Sequence, residues 1–165
     1  MKHIIKNIEK LANAWKTDEI PSFHDAEIIS ILLNRKNGVS IEIKIRIYKF
    51  LENFEIEGKK FNRLLNANST LKFLRTELKQ LEYFNHQNVI ADLHISPIEN
   101  SDSYLVHFES SHGCELRFEC EEIELTEIEI FETEKEAYQP DSERIRKFIE
   151  FRKSMSAESI SEKNS

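Results

Sequence analysis

The segment "VSIEIKIRIYKF", Val39–Phe50, alternates from end to end. Val39, Ile41, Ile43, Ile45 and Ile47 share one side of an extended chain; Ser40, Glu42, Lys44, Arg46 and Tyr48 share the other. Side chains of a strand alternate between faces, so a period of two predicts a strand with one buried and one solvated face. That is the mark of an antiparallel sheet. Just upstream, "AEIISILLNR" (26–35) is apolar at nearly every position and predicts a strand covered on both faces. Between the two lies "NRKNG", in which Asn37 and Gly38 both tolerate positive φ, so the pair reads as a hairpin.

Further upstream the period changes. Ile4, Ile8, Leu11 and Trp15 recur at helical spacing, with Ile5 and Ala12 beside them, predicting an amphipathic helix over about 3–16. Pro21 disfavours helix at Ile20 and ends it. Downstream, 51–68 read as a loop or irregular excursion. "STLKFLRTELKQLEYF" (69–84) supports two readings: Leu74, Leu78, Leu81 and Tyr83 or Phe84 suit a helix, whereas Leu71 and Phe73 alternate as in a strand. Local propensity favours the helix.

"NVIADLHI" places Val89, Ala91, Leu93 and Ile95 inward, and "SYLVHFE" places Tyr104, Val106 and Phe108 inward. The turn-rich "SPIENSD" between them predicts a second hairpin. "CELRFEC" turns Leu116, Phe118 and Cys120 to the core. In "EEIELTEIEIF", Ile123 and Leu125 are in phase but Ile128 and Ile130 are not, which predicts a β-bulge at Thr126-Glu127. Glu122, Glu124, Glu127 and Glu129 then line the outward edge.

After Pro140, "DSERIRKFIEFRKSM" predicts a C-terminal helix over about 141–153, N-capped by Asp141 or Ser142. Its stripe is Ile145, Phe148 and Ile149, and Lys147, Arg152 and Lys153 crowd the end that the helix dipole favours for cations. Residues 154–165 are polar and predict a frayed tail. The expected fold class is α+β, mostly β: an antiparallel sheet or sandwich-like β domain, about 23–131, with a helix at each end. One domain spans 1–153.

Composition bounds function. A chain of 165 residues with 39% apolar and 32% charged content is a soluble, folded domain with a real core. It has no run near the roughly 18 apolar residues of a membrane span. "MKHIIKNIEKLANAW" is too charged for a signal peptide, so a cytoplasmic location is expected. Cys114 and Cys120 on one strand stand roughly 20 Å apart, too far for a mutual disulfide, and suit a reducing compartment.

Net charge is −7, unevenly spread. Arg35–Lys79 carries eleven Lys and Arg against five Glu; Glu109–Glu134 carries ten Glu against the single Arg117. This polarity argues against non-specific nucleic-acid binding, which neutralises phosphates over a broad footprint. An acidic surface instead speeds encounter with cationic partners. The plainer alternative is a solubilising sheet face.

"PSFHDAEI" gathers Ser22, His24, Asp25 and Glu27. A catalytic triad needs serine, imidazole and carboxylate in one hydrogen-bonded line with an oxyanion site nearby. In an extended chain His24 and Asp25 point apart, and no glycine-flanked nucleophile elbow follows. The more economical reading is structural: Phe23 enters the core, Ser22 or Asp25 caps a turn, and His24 and Glu27 satisfy groups where the strand begins. His94, His107 and Asp92 point outward on the second hairpin, where a divalent ion would need further ligands. A cross-strand Asp–His contact is the simpler outcome, and no metal site is expected. In "FNHQNVI", Asn85, Gln87 and Asn88 can tie their amides to the backbone and close a turn, or form an amide cluster for a ligand. No GxGxxG or Walker pattern is present, and no cofactor is expected.

Together "PSFHDAEI", "FNHQNVI" and the late "GCELRFECEEIEL", after a tryptophan-bearing N-terminal segment, resemble the bacterial immunity protein 50 family over about Trp15–Phe131. The motif positions carried over are Phe23, His24, Asp25, Ala26, Glu27, Phe84, Asn85, Gln87 and Asn88. The resemblance implies a mostly β, single-domain, non-catalytic protein encoded beside a polymorphic or contact-dependent toxin, which it neutralises by binding. It also favours strands over 69–84. A basic toxin would be masked by the acidic face of Glu122, Glu124, Glu127 and Glu129. The competing class is an intracellular binding module for a small ligand or housekeeping protein, with a pocket around His24 and Asn85. An enzyme ranks third.

Overall fold

The computed structural model describes residues 4–130 except Asp18, Pro21, Asn37, Glu57 and Gly58. The chain divides after Ile130, and all of these residues belong to the first unit, Met1–Ile130. The expected helix at 141–153 and tail at 154–165 lie outside the described residues.

Among the described residues, nine strands and one short helix follow in the order β1 (Ile5–Lys6), α1 (Glu9–Ala14), β2 (Glu27–Asn34), β3 (Ser40–Ile56), β4 (Lys59–Leu74), β5 (Glu77–Glu82), β6 (Val89–Pro97), β7 (Tyr104–His112), β8 (Glu115–Cys120) and β9 (Glu122–Ile130). They form one sheet with the order β1-β9-β4-β3-β2-β6-β7-β8-β5. Every neighbouring pair is antiparallel except β1 with β9.

The ladder is nearly cut in the middle. β2 and β6 share one register pair, Glu27 with Val89. Yet Phe73 on β4 packs edge-on against Phe118 on β8, five ladder steps away, with ring centroids 4.7 Å apart. A flat sheet would hold those strands roughly 24 Å apart. The sheet therefore folds over at the β2–β6 seam, and its two halves enclose one core, sandwich-like inside a continuous ladder. Two short connections tie the halves again: Arg75-Thr76 carries β4 into β5, and Glu121 alone carries β8 into β9.

The alternation of β3 is realised. Ile41, Ile43, Ile45 and Ile47 are buried, as are Ile123 and Leu125 on β9 of the same half and Val106, Phe108, Leu116, Phe118 and Cys120 on the strands of the other half. The predicted bulge is present: Leu125 pairs with Leu71 and Glu127 with Thr70, leaving Thr126 as the extra residue. Its hydroxyl donates to the Thr70 carbonyl at 3.2 Å.

Four expectations are corrected, and the open reading of 69–84 is settled. The N-terminal helix is Glu9–Ala14 rather than 3–16, because Asn7 at φ 64° turns the chain and Ile5–Lys6 pair with β9 instead. The apolar stripe still faces the core, with Ile5, Ile8, Leu11 and Trp15 all buried. Residues 51–56 and 59–68 are ladder, not loop: β3 and β4 pair from Ser40–Leu74 out to Ile56–Lys59, so the backbone is satisfied despite the broken side-chain pattern. Of the two readings of 69–84, strands are found, β4 ending at Leu74 and β5 spanning Glu77–Glu82. Ser69, Leu71 and Phe73 point inward, Arg75 at φ 51° turns the chain, and β5 joins β8; sheet pairing outweighs a weak helical propensity. β2 is not covered on both faces, since Leu32 and Leu33 are 55% and 50% exposed, and Val39 precedes its strand and is exposed. On β6 two register shifts around Ile90 put Ile90 and Leu93 inward, leaving Val89 and Ala91 half-buried.

Candidate functional site

The two motifs meet at the fold of the sheet. "PSFHDAEI" leads into β2 and "FNHQNVI" into β6, and three backbone bonds join them beside the Glu27–Val89 pair. The Asp25 N–H donates to the Ile90 carbonyl at 3.0 Å, the Ile28 N–H to the Asn88 carbonyl at 2.8 Å, and the Ile90 N–H to the Ala26 carbonyl at 2.9 Å. Phe23 and Ala26 fill the core behind the seam.

The amide cluster closes its own turn, as expected. Asn88 Oδ1 accepts the Asn85 N–H at 2.9 Å, Asn88 Nδ2 donates to the Asn85 carbonyl at 2.7 Å, and Asn85 Oδ1 accepts the Gln87 N–H at 2.8 Å. Asn88 is buried and Gln87 exposed. The third motif packs here too: a Cβ on Gly113 (φ +89°) would collide with the Gln87 carbonyl oxygen and sit 2.9 Å from Asn88 Oδ1. Residues from three distant stretches thus share one structural corner.

Ser22, His24 and Asp25 do not form a triad. Ser22 Oγ accepts the backbone N–H of His24 at 3.0 Å, capping the turn, and the imidazole Nδ1 lies 3.0 Å from Asp25 Oδ2. Glu27 reaches Arg46 at 3.5 Å. His24 was expected, with Glu27, to satisfy groups where the strand begins, and Asp25 was one of two candidate caps of the turn; the side chains of His24 and Asp25 are 63% and 64% exposed. What the junction takes from Asp25 is its backbone, held at φ 59° with the carbonyl accepting the Tyr48 hydroxyl. Burial, then the nearby charges of Glu27 and Asp25, push the Tyr48 phenol pKa up.

Beside this corner is a cavity of about 370 Å³ lined by Trp15, Glu19, Ile20, His24, Tyr48 and Lys49, among others. Asn85, which the competing binding-module reading would set beside His24 in a pocket, is not among the lining residues, and its amide closes its own turn. Trp15 and Tyr48 were legible only as an apolar helix position and an outward strand position. The Trp15 indole N–H is buried and has no acceptor among the described residues.

On the second hairpin His94 pairs with His107 across the ladder, the ring centroids 5.7 Å apart. Each imidazole takes a glutamate rather than Asp92: His94 Nε2 lies 2.8 Å from Glu109 and His107 Nε2 lies 2.6 Å from Glu115. The register sets Asp92 opposite Glu109, and Asp92 Oδ1 accepts the Leu93 N–H. Among the described residues no cluster of three or more such side chains is placed to hold a metal ion.

With three motifs on one corner, the comparison with known families is decisive. The model of the family described as Immunity protein 50 matches residues 7–131. The chain belongs to the immunity protein 50 family. No curated protein and no solved structure matches it. Among the described residues no helix is long and apolar enough to cross a membrane.

The charge polarity of this immunity protein is folded against itself. The basic stretch forms β3 and β4, the acidic one β8 and β9, and β4 pairs with β9. Glu122 is bound by Lys6 and Arg75, whose hydrogen bonds hold its carboxyl pKa down at about 2. Glu124 accepts from Asn7 at 3.0 Å and Glu127 from Thr70 at 3.3 Å. Glu129 accepts from Asn68 at 3.2 Å and lies 3.5 Å from Lys44, contacts that lower its pKa. β1 borders β9 only at Ile123 and Glu124, so the acidic row continues past the short strand.

Proposed function

We propose that this immunity protein neutralises a cognate toxin of a polymorphic, contact-dependent system by binding and covering it in the cytoplasm, without making or breaking a bond. Family membership over residues 7–131 carries the reading. The acidic row on β9 supports a basic partner surface. Glu127 and Glu129 are exposed, and carboxylates on an exposed edge raise the encounter rate with a cationic protein. In this reading Phe23, Ala26, Asn85 and Asn88 build the corner, while Glu122, Glu124, Glu127 and Glu129 meet the toxin.

The experiment mixes purified protein with the toxin encoded by the adjacent reading frame. Stoichiometric protein abolishes toxicity, and Glu124→Lys/Glu127→Lys/Glu129→Lys slows association with a weaker salt dependence. A toxin left fully active by excess protein overturns the reading. Unchanged association by the folded triple variant moves the interface off β9. The cavity beside His24 favours one other reading, a binding module for a small ligand. A metabolite that raises the melting temperature where the toxin does not would establish it.

A further inference from the structure

His24 and Asp25 are exposed polar side chains of a motif whose structural tasks belong to its other atoms. Phe23 and Ala26 supply the packing, Ser22 Oγ caps the turn, and the Asp25 backbone bridges to Ile90 and Tyr48. The His24 imidazole lines the 370 Å³ cavity and touches the Asp25 carboxylate. Side chains that the fold does not consume, placed on a concavity, are available for recognition.

The chemistry of the walls selects the occupant. Trp15 and Tyr48 supply aromatic surface, Ile20 supplies apolar surface and Glu19 a carboxylate, while the Asp25 carboxylate stands 3.0 Å from the imidazole of His24 in the lining. Lys49 is the opposing charge in the lining, and Arg46, two residues before Tyr48, faces Glu27 at 3.5 Å. Burial raises the Tyr48 phenol pKa, and the charges of Glu27 and Asp25 raise it further, against Arg46. Aromatic walls with carboxylates beside them attract a desolvated cation, and a planar guanidinium best of all. We propose that this cavity receives a basic side chain, an arginine, projecting from the partner protein. The proposal rests on the toxin-binding reading and places a second anchor of that interface at the motif corner.

Trp15 is the single tryptophan of the chain, so its emission reports on this cavity alone. The full chain is titrated with N-acetyl-arginine amide and with its neutral isostere N-acetyl-citrulline amide. A saturable change in emission with the arginine probe, at least about tenfold weaker with citrulline and weakened in Glu19→Gln/Asp25→Asn, is expected. No response, or an equal response to both probes, overturns the proposal. In parallel, Glu19→Lys is tested against the toxin. Glu19 is exposed, so the variant keeps the wild-type melting temperature and binds toxin at least about tenfold more weakly. Wild-type affinity in this variant removes the cavity from the interface and leaves the immunity function standing. Failure of the wild-type protein itself to bind toxin sinks that function, while the arginine titration still judges the cavity.

Discussion

Phe73 and Phe118 meet edge to face at 4.7 Å although the ladder sets them five strands apart. This contact, extended by Phe108 at 6.0 Å from Phe73, closes the two halves of the sheet on each other. Truncating either ring removes buried area and leaves a cavity where the halves meet. Phe118→Ala should cost about 4 kcal/mol of unfolding free energy. A double-mutant cycle with Phe73→Leu should return a coupling of about 1 kcal/mol. Urea denaturation measures both, and additive losses would show that the halves are held together elsewhere.

Gly113 and Gly38 separate conformational strain from steric exclusion. Both have positive φ, 89° and 94°, but an added Cβ at Gly38 meets nothing within 4 Å, whereas at Gly113 it strikes the Asn85–Asn88 turn. Gly38→Ala should cost about 1 kcal/mol, the ordinary penalty of a left-handed residue. Gly113→Ala should cost about 3 kcal/mol, because strain and a backbone collision add. Equal losses in chemical denaturation would mean that the corner yields at little cost.

The β3 pattern was legible because one face of that strand is core and the other water, so burial wrote a strict period of two into Ser40–Tyr48. The bulge at Thr126 was legible for the same reason: a phase slip must appear wherever both sides of it are buried. Residues 51–68 carried no such record, as a long hairpin satisfies its backbone by pairing alone. In 69–84 the leucines at 74, 78 and 81 match helical spacing by coincidence, and only the partner strands β8 and β9, distant in sequence, settle the matter. The motif corner was half legible. Asn85 and Asn88 act locally, so their turn could be read; the bond from Asp25 to Ile90 and the closeness of Gly113 to Gln87 join residues that sequence separates widely. Trp15 and Tyr48 as cavity walls left no local signal beyond their face.

Cys114 and Cys120 are free and buried, and burial pushes their thiol pKa values up to about 11 and about 12. Nucleophilicity belongs to the thiolate, so both should be inert at pH 8 in the folded protein. A thiol-reactive chromophore should titrate close to none in native buffer and both in guanidinium. Rapid native reaction of either cysteine would show that β8 opens readily.

Glu122 joins three parts of the chain: Lys6 on β1, Arg75 at the β4–β5 turn and its own strand β9. Hydrogen bonds from Arg75 and Lys6 lower its pKa to about 2, below the roughly 4.3 of an unfolded glutamate. A depressed carboxyl pKa means that the folded chain holds fewer protons than the unfolded one in that interval. The stabilisation is therefore complete above about pH 5 and declines as pH falls through 4 towards 2. Glu122→Gln should lower the melting temperature at pH 7, and its deficit against the wild type should shrink steadily on acidification. Because the group is at the surface, high salt should shrink the neutral-pH deficit as well. Melting curves collected from pH 7 to pH 2 check this; a deficit constant across that range would mean that the amide is felt through packing or lost hydrogen-bond geometry, not through the charge of Glu122.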